Sequence, residues 1–132
     1  MKSTIHENQS LNKSMSKKIY IAGKITNEPF HHVVIKFKEA QTTIEKLGFE
    51  VVNPIVVVNN STEPWESAMK TCLKAMLDCD GIVILPCWQL SRGAQIERQL
   101  AEDLDMMIFN YDSFGLKVLK ARLCNNSQPL IQ

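Results

Sequence analysis

Residues 80–101, DGIVILPCWQLSRGAQIERQLA, hold the pattern on which the fold turns. Ile82 to Leu85 is an apolar, branched run of the length of a strand buried on both faces, as strands of parallel sheets are. Pro86 to Arg92 reads as a short loop. Ile96, Leu100, Ala101 and Leu104 then recur at three- and four-residue spacing, which predicts a helix with one apolar stripe against the sheet. Glu97 falls beside the stripe, in the first turn or so, just past the carboxyl end of the strand. Open α/β sheets bind ligands at that edge. The helix dipole alone favours a carboxylate there. A capping box does not account for it, because with Ser91 as N-cap the box residue is Ala94. Glu97 is the residue to explain.

Working outward, Lys17 to Ala22 (KKIYIA) predicts a first strand, followed by a loop, GKITNEPF, rich in turn formers. Gly23 permits close backbone approach to a ligand, although the loop matches neither a Walker P-loop nor a Gly-x-Gly-x-x-Gly fingerprint. His31 to Leu47 predicts a helix carrying Val33, Phe37, Ala40, Ile44 and Leu47, stopped by Gly48. Phe49 to Val52 is a second strand, broken by Asn53-Pro54. Ile55 to Val58, flanked by Pro54 and Asn59-Asn60, reads as a loop lining a pocket. Pro64 opens a second long helix with Trp65, Met69, Cys72, Leu73 and Met76 on one face, ending near Leu77. Met106 to Phe109 is a fourth strand, and Ser113 caps a last helix to about Leu123. Residues 1–16 read as a flexible leader, with Met15 a second place to start, and 125–132 as a tail ending in Leu130-Ile131, leaving one domain at 17–124.

Strands alternating with helices predict right-handed βαβ units and a doubly wound parallel sheet, three-layer α/β/α. Four or five strands in the flavodoxin-like, Rossmann-like order 2-1-3-4(-5) are the simplest solution. The switch point then lies between the first and third strands, with loops 23–30 and 86–92 as opposite walls of a crevice and Glu97 at its floor.

Composition narrows the function. The chain has 132 residues, 45% hydrophobic, which suits one domain with a real core. Fifteen Lys plus Arg against 14 Asp plus Glu leave no basic field, so a polymeric nucleic acid is not an expected partner, while a small anion remains one. Neither a membrane span nor a secretion signal is visible, which predicts a cytoplasmic protein. Cys72, Cys79, Cys87 and Cys124 form no Cys-x-x-Cys pair, and His6, His31 and His32 no zinc spacing with them. Reduced thiols, no metal and no cofactor are expected.

Five segments resemble the nucleoside 2-deoxyribosyltransferase superfamily: KIYIAGKIT at 18–26, VVNP at 51–54, the helix start from Trp65 to Met69, CDGIVILPCW at 79–88 and above all SRGAQIERQLA at 91–101. The resemblance covers residues 17 to about 110 and extends to the superfamily's small bacterial and phage domains and to deoxynucleoside 5'-monophosphate N-glycosidases. It implies that Glu97 attacks the anomeric carbon of a 2'-deoxyribonucleoside, releasing the base and leaving a deoxyribosyl ester that water or a second base resolves. The helix N-terminus would help to keep the carboxylate ionised. It also implies that Ser91, Gly93 and the amides around Gly23, Lys24 and Ile25 hold a 5'-phosphate, with Arg92 and Lys24 adding charge from their loops. Two positions depart from the pattern. Cys72 stands where several relatives carry an aspartate, and Thr26-Asn27 where monophosphate-cleaving relatives have an arginine and a glycine.

Asp78 and Asp80 lie at the wrong edge of the sheet to replace that aspartate, whereas Glu66 or Asp112 lies at the right edge to supply the proton. Trp88 and Trp65 are candidates to stack a base. Tyr20 alternates with Ile19 and Ile21 and reads as core, and His31 and His32 as solvated. Subunits of this superfamily commonly complete one another's sites, so at least a homodimer is expected. The competing reading is a catalytically weak nucleotide-binding module, a sensor or partner-docking surface on the same fold. A phosphoacceptor receiver domain is excluded, because Gly23 to Asn27 contains no acidic residue.

Overall fold

Four strands, β1 (Lys18–Ala22), β2 (Glu50–Val52), β3 (Gly81–Ile84) and β4 (Met107–Asn110), lie parallel in the order β2-β1-β3-β4. They belong to a computed structural model that describes residues 17–124; the expected leader and the tail with Leu130-Ile131 lie outside the described residues. The connecting helices are α1 (Phe30–Lys46), α2 (Pro54–Val58), α3 (Trp65–Leu77), α4 (Arg92–Asp103) and α5 (Ser113–Leu119). The period of two along the inner strands splits one apolar run into two cores. Ile19, Ile21, Val83 and Leu85 face Phe37, Ala40 and Ile44 of α1 and Leu119 of α5. Tyr20, Ala22, Ile82 and Ile84 face Cys72 and Met76 of α3 and Ala101 of α4. This is the expected three-layer, doubly wound sheet with four strands.

Three local expectations are corrected. Ile55 to Val58 is helical: the Asn53 side chain accepts from the Ile55 amide at 2.9 Å, Pro54 occupies the first turn, and Asn59 closes α2 in the left-handed region at φ 48. Two caps override the β-branched composition of this segment. In α4 the buried face is Ala94, Glu97 and Ala101, while Ile96 and Leu104 are 36% and 53% exposed. Small residues let the helix sit close on the sheet, and Glu97 lies at the centre of the contact rather than beside it. The last helix is capped by Asp112, whose Oδ1 accepts from Gly115 N at 2.6 Å, and after Leu119 it widens into a π-type turn, Lys120–Cys124.

Ser91 caps α4 as expected, its Oγ accepting from the Ala94 amide at 3.1 Å. Ser91→Ala should cost about 1 kcal/mol, seen in urea as a lower midpoint with an unchanged slope. Among the described residues no helix is long and apolar enough to cross a membrane.

Candidate active site

Register decides what lies beneath the carboxyl edge of the sheet. Tyr20, in the middle of β1, faces α3 and α4 and is fully buried. A buried phenol needs a partner for its hydroxyl. It donates to Glu97 Oε2 at 2.5 Å. Glu97 is itself only 5% exposed and is the sixth residue of α4, in its second turn. That depth corrects the expected dipole assistance, which fades within the first turn. Burial therefore dominates and pushes the Glu97 carboxyl up to about 8, with the Tyr20 hydrogen bond opposing the rise. Burial and the neighbouring Glu97 charge likewise raise Tyr20 well above the usual phenol range. At neutral pH both groups hold their protons.

Glu97 opens onto a cavity of about 890 Å³. Of the residues singled out in the sequence as site candidates or departures, Gly23, Ile25, Thr26, Ser91, Gly93, Glu97, Cys72 and Trp65 line it. The other walls are α2, the turn from Asn59 to Glu63, and Phe30 with Val34 of α1. The Cys72 thiol is pushed up to about 11 by burial, and the Glu97 charge adds to the rise. It is a neutral group on this wall.

The remaining candidates do not line the cavity. Lys24 Nζ donates to the Thr26 carbonyl at 2.9 Å and lies 3.7 Å from Glu28. The Arg92 guanidinium sits 4.4 Å over the Trp65 ring. Trp88 packs on the core beneath Arg98, 4.8 Å from its ring, so the base-stacking candidate on the wall is Trp65. Glu66 is exposed on α3, and Asp112 is the cap of α5. The loop at Pro86 and Cys87 is not the opposite wall. It borders a separate cavity of about 390 Å³ with Glu28, Lys36 and Tyr111, because Trp88–Leu90 forms a 3-10 turn folded back on α4. Gly23 answers first to packing: a Cβ there would lie 2.8 Å from Leu85 Cδ1.

Tyr20 was legible only as core. The signal that could have exposed it is chemical: a phenol inside an otherwise apolar strand must find an acceptor, and Glu97 is the acidic side chain across that face. Tyr20→Phe should remove this donor and raise the Glu97 pKa further. Carboxyl NMR titration checks this: a Glu97 midpoint displaced to higher pH in the variant would mark the Tyr20 bond as electrostatic, and an unmoved midpoint would show that Tyr20 only packs.

Residues 17–110 match the family described as domain of unknown function DUF4406. The chain belongs to this family. The span matched to DUF4406 contains every residue of the cavity wall and ends before Asp112. No curated protein gives a significant match.

Proposed function

We propose that the chain cleaves or exchanges the N-glycosidic bond of a 2'-deoxyribonucleoside or its 5'-monophosphate, with Glu97 as nucleophile. The observation that supports this most is the buried Glu97 carboxyl at the floor of a roomy cavity, beneath the carboxyl edge of a parallel sheet and held by Tyr20. It joins the likeness to nucleoside 2-deoxyribosyltransferases carried by SRGAQIERQLA. Ionised Glu97 forms a bond to the anomeric carbon as the carbon–nitrogen bond breaks and its electron pair leaves with the base. Water or a second base then displaces Glu97 from the sugar. Positive charge develops on the sugar in each step, and a carboxylate in a poorly solvated site stabilises it strongly. Chromatography of wild type and Glu97→Ala with deoxynucleosides and their monophosphates, with and without a free acceptor base, tests the reading. Base release that vanishes in the variant supports it; no release from any member overturns it.

One observation favours a second reading, a nucleotide-binding module. Cys72, a neutral thiol, stands beside Glu97 where several relatives in the resembled superfamily carry an acid, and a thiol is a poor proton donor to a departing base. Ligands that raise the melting temperature without losing their base would favour it. We also propose at least a homodimer, its partner covering Phe30, Val34 and Val56, which are exposed around the cavity. Sedimentation showing only monomer would remove that part.

A further inference from the structure

A second carboxylate lines the cavity, with no part in the attack on the sugar. Glu63 is half-buried in the turn ahead of α3. Both of its oxygens are held. Ser67 Oγ donates to Oε2, and Asn60 Nδ2 donates to Oε1 at 3.3 Å. Asn60 is fixed in turn, its Oδ1 accepting from the Thr62 amide at 3.1 Å and the Thr62 hydroxyl at 2.8 Å, while its carbonyl accepts from Glu63 N at 3.1 Å. A carboxylate oriented in this way keeps a free lone pair on each oxygen for a ligand.

Its height in the cavity is informative. Trp65 to Cys72 along α3 rises about 10 Å, and Cys72 is close enough to the Tyr20–Glu97 pair to interact with both. Glu63, two residues before Trp65, therefore stands at the rim while the nucleophile lies at the floor. Met69 and Ala68 line the wall between them, so on the glycosidic reading a nucleoside with its anomeric carbon at Glu97 and its base along this wall would point the edge of that base toward Glu63.

We infer that Glu63 reads the base, and that the substrate is a 2'-deoxynucleoside whose base carries an amino group beside a ring N–H, the donor pair of a 2-amino-6-oxopurine. The role rests on the glycosidic reading of the site. A carboxylate accepts two parallel N–H donors well, as it does from a guanidinium. Guanine offers both donors and hypoxanthine only the ring N–H. Thymine's ring N–H is flanked by two carbonyls, whose lone pairs would face those of Glu63. A site built to hydrogen-bond a group rejects analogues that lack it steeply, because its own polar atoms are left unpaired.

Base release from deoxyguanosine, deoxyinosine and thymidine by wild type, Glu63→Gln and Ser67→Ala tests this, with the melting temperature of each protein measured with and without each compound. Wild type should favour deoxyguanosine over deoxyinosine in kcat/KM by about tenfold or more. Glu63→Gln should bring that ratio to within about twofold of one while still releasing base, and Ser67→Ala, which keeps the carboxylate but loosens it, should lower the ratio partway. A preference unchanged in Glu63→Gln, or a wild type that favours thymidine, overturns the assignment and leaves Glu97 catalysis standing. If nothing is cleaved but deoxyguanosine stabilises wild type and not Glu63→Gln, base reading stands and the glycosidic reading falls. Neither cleavage nor a Glu63-dependent shift overturns both.

Discussion

Glu97→Gln should release no base and yet melt higher than wild type at pH 8. The two effects have one cause. Burial holds the folded-state pKa of Glu97 at about 8, against an ordinary value of 4.5. Below pH 4.5 the carboxyl is neutral in both states and contributes no pH dependence. Between 4.5 and 8 the unfolded chain gives up the proton that the folded chain keeps, so stability falls as pH rises, by up to about 1.4 kcal/mol per unit. Above 8 the loss is complete, at a few kcal/mol. Glutamine is neutral throughout and can still accept from Tyr20, so the variant escapes the loss. On the proposed glycosidic reading the same window governs the rate, because only ionised Glu97 would attack; wild-type kcat/KM should rise with pH, reach half its maximum near 8 and level off above it. The variant, lacking the proposed nucleophile, should lose on the order of a thousandfold or more. Melting curves of both proteins from pH 4 to 9 check the first half and chromatography the second. Parallel melting profiles would show that Glu97 is not held protonated by the fold.

Gly115→Ala should be as damaging to the fold as Glu97→Gln is to the chemistry. A Cβ at this position would lie 1.9 Å from the Asn110 carbonyl oxygen and 2.8 Å from its carbonyl carbon. Both are backbone atoms, so no flexible side chain can yield. Asn110 is also fixed, as the last residue of β4, paired with Ile84. Nor can α5 retreat freely, since Asp112 grips Gly115 N at 2.6 Å and Leu119 is anchored in the core. One β-carbon therefore asks the strand–helix junction to open. We expect a loss of at least about 4 kcal/mol and a fall in melting temperature of about 15 °C. Calorimetry giving a near wild-type melting temperature would mean that the junction has slack.

Much of the architecture was legible because local signals agreed with the global pattern. Two β-branched runs, a glycine stop after Leu47 and a serine cap at Ser91 all point to alternating parallel strands and helices, and Glu97 lines a cavity at the carboxyl edge, one with other walls than the two expected loops alone. What the pattern missed depends on the third dimension. Asn53-Pro54 was read as a strand breaker when it is equally a helix start, and only the capping bond to Ile55 distinguishes them. Periodicity placed Ile96 and Leu104 in the stripe of α4 beside Leu100 and Ala101; packing kept Ala101 with Leu100 against the core, left Ile96 and Leu104 outside, and added the small Ala94. Of the two tryptophans read as stacking candidates, Trp65 lines the cavity and Trp88 does not, for a related reason: a side chain's reach into a cavity depends on how its loop folds back, and the turn at Trp88 folds toward α4. Glu63 escaped notice because nothing in the local sequence distinguishes a rim carboxylate from a solvated one.

Among the described residues, the cavity spans both core and margin of the sheet. Its floor rests on β1 and the buried face of α4, whereas its outer wall is a five-residue helix, α2, attached after the three-residue edge strand β2. Short elements at a sheet margin open at far lower free energy than a core. Fraying of α2 would thus widen the entrance far more often than the chain unfolds globally, while Tyr20 and Glu97 stay in register. Traffic through the site and integrity of its chemistry are governed by separate equilibria, so this chain can evolve faster exchange of ligand by weakening α2 without loosening the residues that would act on it.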